Sequence, residues 1–226
     1  MKPLRQLLDV DAPSWPVVRS WIDDAPNRVE VLPPDPARRG SVLHSLQITV
    51  GSWMGAVAHE TGGLLIDDGW IRILGGAGTT MGGTLANWNG FGDKPVLRAM
   101  PGMTIIGHDG AGGVFALDRG ALGRGGNTTW YLCPDTLRWI PLQRSYSHFL
   151  QWLCTGDVAG FGQRLRWDGW ADDLAQAGPD RAFTASPARW TAEGRHPRRQ
   201  NLRPVSTSSL FLHQLDVAKH LPTASS

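Results

Sequence analysis

Three carboxylates in turn-forming contexts are the first residues with the right types for chemistry. Asp67 and Asp68 lie in IDDGW, and Asp109 lies in GHDGAGG with His108 beside it. Paired carboxylates can act as acid and base in hydrolysis, with a histidine to carry the proton. The same residues are also good turn formers, because an Asp-Gly pair supplies the positive φ of a tight hairpin. A hydrolase using Asp67, Asp68 or Asp109 with His108 is therefore the alternative reading and not the leading one.

Other catalytic patterns stop short. His59-Glu60 opens a zinc-protease motif, but the second histidine it needs is replaced by Gly63. His44, His108, His148, His196, His213 and His220 show no i, i+4 pairing, and Cys133 and Cys154 lack nearby partners. The glycine-rich stretch from Gly75 to Gly83 has no Lys-Ser/Thr after it, and Met81 stands where a dinucleotide fingerprint has its third glycine. It reads as a flexible loop. No G-x-S-x-G elbow exposes a serine. The sequence gives no reason to expect a metal or a cofactor.

Residues suited to binding a partner are easier to find. The 226-residue chain holds 11 Trp, and an exposed indole is a good anchor for a partner. Arg189, Arg195, Arg198, Arg199 and Arg203 gather around one acid, Glu193, and one aromatic, Trp190. A solvated basic loop of this kind can meet an acidic protein surface. Its single aromatic gives no stacking platform for single strands, and a net charge of +2 argues against a dedicated nucleic-acid binder. Trp88 with Asn89, and Trp190 with Arg195, Arg198 and Arg199, are the candidate contacts to a protein partner, on the strength of loop position.

The elements that must carry these residues are short. Thr61 to Gly78, TGGLLIDDGWIRILGGAG, predicts a hairpin turning at Asp67-Asp68-Gly69. A second hairpin is expected from Thr129–Cys133 and Leu137–Leu142 over Pro134-Asp135-Thr136. Strands are expected at Val29–Leu32, Val96–Ala99, Met103–Gly107 and Val114–Leu117, with an edge strand at Phe183-Thr184. Helices are expected at Leu4–Val10, Trp15–Ala25, Pro36–Leu46, Ser52–Glu60, Leu85–Asn89 and Asp168–Ala177, and Leu210–Ala218 returns to apolar patterning. Ser145 to Thr155 is the clearest, with Tyr146, Phe149, Leu150 and Leu153 on one face. In LRWDGW, Trp167 and Trp170 begin a helix, and Arg166 is placed to stack on an indole. Thr191 to Pro204 reads as a polar surface loop.

No composition shift marks a linker, so residues 1–226 are expected to form one α+β domain with a frayed end at 222–226. Two cysteines make no disulfide framework, which points to a reducing cytoplasm. The first residues lack a signal-peptide pattern, and no apolar run is long enough for a membrane span.

Several stretches together resemble one bacterial family, the domain of unknown function numbered 2625. They are LQITVGSWMGAVAHETGGLLIDDGWIRILGGAG, NWN at Asn87–Asn89, DGAGGVFALDRGALG, YLCPDTLRWIPLQRSYSHFLQWL and RLRWDGW, within residues 37–175. The family carries no established catalytic residues to transfer. The order of a helical start, a Gly-Gly hairpin, GGVFALDRG and YSHFLQWL is more distantly similar to the SUKH superfamily of binding modules, many of them immunity proteins against bacterial toxins. That resemblance implies a curved, mostly antiparallel sheet of short strands packed on helices, and a non-enzymatic protein-binding module that neutralises a toxin. Immunity proteins against nucleases are often acidic, and this chain is slightly basic.

Overall fold

The computed structural model describes residues 1–92, 94–122, 126–195 and 201–221. Its centre is the expected hairpin. Strands β2 (Gly63–Ile66) and β3 (Ile71–Leu74) pair antiparallel, and Asp67, Asp68 and Gly69 all take positive φ in the turn between them. Gly69 removes the steric cost at the third of these positions.

Five more strands extend the hairpin into a seven-stranded antiparallel sheet whose spatial order follows the chain. They are β1 (Val29–Leu32), β4 (Met103–Asp109), β5 (Val114–Asp118), β6 (Thr128–Cys133) and β7 (Arg138–Ser145). The sheet stays open, with β1 and β7 at its edges. A separate ribbon joins β8 (Arg181–Ser186) to β9 (Asn201–Ser206). The fold is mixed α+β.

Helices α1 (Leu4–Leu8), α2 (Trp15–Asp23), α3 (Ser41–Leu46), α4 (Trp53–Glu60) and α5 (Tyr146–Thr155) form one group. The others are α6 (Val158–Gly162), α7 (Trp170–Ala177) and α8 (Thr207–Ala218). Ser52 and Ser145 cap α4 and α5 by accepting the amides of Gly55 and His148. Phe149 is fully buried against Phe115 of β5, at 5.1 Å between ring centroids. Phe115 and Leu117 are buried, but so are Val114 and Ala116 between them, because β5 is covered on both faces.

Several expected elements differ. Val96–Ala99 forms no strand: the amides of Val96 and Leu97 both donate to the Asn87 carbonyl, and prolines 95 and 101 bracket the segment. The helix expected at Leu85–Asn89 is a single 3-10 turn, Asn87–Asn89. Helix α3 starts at Ser41, five residues later than expected. The polar stretch after Thr191 is not all loop, since Asn201–Ser206 pairs along the whole of β8. The glycine-rich segment is bonded in place. Gly76 donates to Thr61, Asp35 donates to Ala77, and the amides of Gly82 and Gly83 each donate at 2.8 Å to the Asp180 carboxylate. The anion these amides hold is the protein's own.

Candidate functional site

A row of side chains crosses the sheet from its β1 edge inward. Glu30 pairs with Leu65, Leu65 with Arg72, and Arg72 with His108. Directly paired residues project from the same face, so these four line up on one side of the sheet. Strands lie about 4.8 Å apart, which puts roughly 10 Å between the backbones of Glu30 and Arg72.

Helix α7 crosses this face and leaves a cleft of about 410 Å³ against β1–β3. Arg72 is at its floor, Leu65, Ala171 and Leu174 supply apolar wall, and Glu30, Asp68 and Asp172 bring carboxylates to it. The size suits a small ligand or one end of a chain. Arg28 and Asp68, also in the lining, form an ion pair with each other. Among the described residues, Glu30, Arg72 and Asp172 form no ion pair.

Arg72 is the anomaly. It is 1% exposed, and its Nε and Nη1 have no hydrogen-bond partner. Burying an unpaired cation is costly, and such groups are normally paired or bonded. Burial pulls its pKa down to about 10, while the charges of Asp109 and Asp180 act the other way. Arg72 is therefore still a cation at neutral pH, held by carboxylates that it does not touch.

Those two carboxylates are already engaged. Asp109 opens the β4–β5 turn: Oδ1 accepts the amides of Ala111 and Gly113, and Oδ2 accepts the Tyr131 hydroxyl at 2.5 Å. Burial still raises the Asp109 pKa, against these bonds and the charge of Arg72. Burial, then the charge of Asp109, pushes the Tyr131 pKa well above its ordinary value, so the phenol stays a donor. Asp180 is bound by Gly82 and Gly83.

His108 completes the row. It is fully buried, stacks on Trp88 with centroids 5.1 Å apart, and has no partner at either ring nitrogen. Burial, reinforced by Arg72, holds its pKa well below the ordinary histidine value. It is neutral at pH 7.

The residues expected to meet a partner are placed differently. Trp88 and Asn89 are buried, at 3% and 6% exposure, and cannot form an exposed anchor. Trp88 packs between His108 and Phe211. The Asn89 amide donates to the carbonyls of Leu85 and Ile105 and accepts the Ile105 amide, all at 2.8 Å. This ties the 3-10 turn to β4 beside its bulge between Ile105 and Gly107. Trp190 is half-buried near His213. Arg189 is buried and lies over Trp167, so it does not belong to a solvated basic loop. Arg195 ends a 3-10 turn, and Arg198 and Arg199 lie outside the described residues.

The carboxylates of the hydrolase reading are each committed. Asp67 pairs with Arg166, whose guanidinium also lies over Trp70 and Trp170 at 5.0 and 4.5 Å. Asp68 pairs with Arg28, and Asp109 is held as above. His108 bonds to none of them. Both cysteines are buried thiols, and burial is the main force pushing Cys133 up to about 12 and Cys154 up to about 11. Among the described residues no three His, Cys, Asp or Glu side chains gather in a metal-binding group. No helix among them is long and apolar enough to cross a membrane.

Comparison with known proteins places this architecture. Residues 4–210 match the model of a family described as "Protein of unknown function DUF2625". The chain belongs to the DUF2625 family. It is 36% identical over 190 residues to the uncharacterized protein YbfG of Escherichia coli (strain K12), covering 84% of this chain and 86% of YbfG. It is 35% identical over 187 residues to an uncharacterized protein of Haemophilus influenzae (strain ATCC 51907 / DSM 11121 / KW20 / Rd), covering 83% of this chain and 82% of that one. No solved structure matches at a significant level.

Arg72 is the site residue that sequence reading passed over. Its signal was an arginine between two isoleucines in a short apolar strand, Ile71-Arg72-Ile73. On a half-exposed strand that alternation is ordinary. It becomes unusual only once β3 is seen in the middle of a covered sheet.

Proposed function

We propose that this protein is a non-enzymatic binding module that recognises an anionic group of its ligand in the cleft floored by Arg72. The observation that supports this most is that Arg72, which lines the cleft, is a buried cation in no ion pair among the described residues, with two guanidinium nitrogens that have no hydrogen-bond partner. An anion seated there supplies the charge that the fold withholds. The reading keeps the class of function that the SUKH resemblance implies, a protein-binding module, and moves recognition from Trp88, Asn89 and the arginine-rich segment to the cleft. Commitment of Asp67, Asp68 and Asp109 to partners within the protein favours binding over hydrolysis.

A thermal-shift titration with valerate, matched against sodium chloride at equal ionic strength, tests it. A ligand at one hundred times its Kd stabilises the folded state by about 2.7 kcal/mol. For a chain of this size that is a rise of several degrees in Tm. The rise is expected in the natural protein and absent in Arg72→Met. Equal shifts in both would contradict the proposal.

A further inference from the structure

The charges lining the cleft do not cancel. Arg28 and Asp68 neutralise each other, which leaves Arg72 at the floor and the exposed carboxylates of Glu30 and Asp172. Asp172 has a local reason to be acidic, because it stands in the first turn of α7, where the helix dipole favours an anion. Glu30 has no such reason. It projects from an edge strand on the same face as Arg72, two strands away, with the half-buried Leu65 between them.

Resting on the anion-binding reading of this cleft, we infer that its ligand is amphoteric: a carboxylate for Arg72, an aliphatic stem across Leu65, and an ammonium or guanidinium for Glu30. A ligand with one charge leaves part of the cleft uncompensated. A simple anion passes two carboxylates on its way to Arg72, and a simple cation has nothing to offer the floor. Basic amino acids have this pattern of anion, stem and cation, and so does the carboxyl terminus of a peptide ending in Lys or Arg. The two sources share the chemistry at Arg72, Leu65 and Glu30. They differ at the α-nitrogen, which is a cation in the free amino acid and a neutral amide in the peptide. Asp172 is the group placed to register that difference.

Calorimetric titration with four probes separates the possibilities: L-arginine, agmatine (no carboxylate), valerate (no cation) and N-acetyl-Gly-Gly-Arg with a free carboxyl end. L-arginine or the peptide is expected to bind at least tenfold more tightly than valerate. Glu30→Gln, an exposed and conservative change, should lose the preference over valerate, weakening arginine and the peptide and tightening valerate, which no longer passes that carboxylate. Preference for the peptide, insensitive to Asp172→Asn, supports a chain end as the source. Preference for free arginine, weakened by Asp172→Asn, supports the amino acid. Valerate binding as tightly as arginine and the peptide overturns the inference and leaves the anion site standing. Agmatine binding as tightly as arginine also overturns it, because the carboxylate then contributes nothing. If no probe binds the natural protein, or if the probes bind a folded Arg72→Met variant as tightly as the natural protein, the anion-binding reading itself is lost.

Discussion

Arg72 and His108 stand opposite each other in the β3–β4 ladder, both buried, and neither has a carboxylate bonded to it. Arg72 helps to keep His108 neutral, and His108 in turn offers the guanidinium a flank without negative charge. Trp88 closes the other side of the imidazole. Arg72 also lines the cleft, and the charges of Asp109 and Asp180 act on its guanidinium without bonding it.

Arg72→Met should not destabilise the protein in the way most core substitutions do. Among the described residues Arg72 is in no ion pair, so its replacement by an apolar side chain removes a desolvation penalty without breaking a pair. Urea unfolding at pH 7 is expected to give a midpoint equal to or above that of the natural protein, alongside lost valerate binding. A large drop in the midpoint would show that Arg72 is held for stability.

Stability should fall on mild acidification through His108. Its folded pKa lies well below 6.5, so below pH 6.5 the unfolded chain takes up a proton that the folded one refuses. The loss is about 1.4 kcal/mol per pH unit until the folded pKa is reached. Unfolding curves at pH 7.5 and 5.5 should therefore differ more for the natural protein than for His108→Gln. Identical pH dependence in the two would place a partner at His108 that the structure lacks.

Tyr131→Phe removes the hydroxyl that bonds Asp109 Oδ2 and leaves a buried carboxylate under-satisfied. The expected cost is about 1.5–3 kcal/mol, the range for a hydrogen bond to a charged group. Gly113→Ala should cost at least as much, since a methyl there meets both the Tyr131 hydroxyl and Asp109 Oδ2. Denaturant midpoints check both. Unchanged midpoints would mean that the pair contributes nothing to the β4–β5 turn.

Phe149→Ala should cost about 3–5 kcal/mol, because the ring is fully buried against Phe115 and Trp152. A loss below about 1 kcal/mol would contradict the packing of α5 on the sheet.

Local signals in the sequence reached the fold further than the site. The Asp67-Asp68-Gly69 turn, the Ser145 cap and the Phe149 face are short-range patterns, and each appears where the residues placed it. Arg166 was likewise expected on an indole of LRWDGW, and it lies over Trp170 and Trp70. Trp88 and Asn89 were misjudged because a loop position says nothing about what covers it. Phe211, more than a hundred residues away, helps to bury Trp88, and the Ile105 backbone claims the Asn89 amide. The row from Glu30 to His108 is set by strand register across segments separated by tens of residues, which no local pattern encodes. The same holds for Asp180, whose carboxylate engages Gly82 and Gly83.

The most direct test of the central claim is chemical-shift mapping of backbone amides during titration with valerate. Perturbations confined to Leu65, Gly69, Arg72, Thr80 and the α7 residues Ala171 to Ala175, and absent in Arg72→Met, are the predicted result. Perturbations centred on Trp190 and the arginine-rich segment, or none at saturating valerate, would contradict the assignment of the Arg72 cleft as the recognition site.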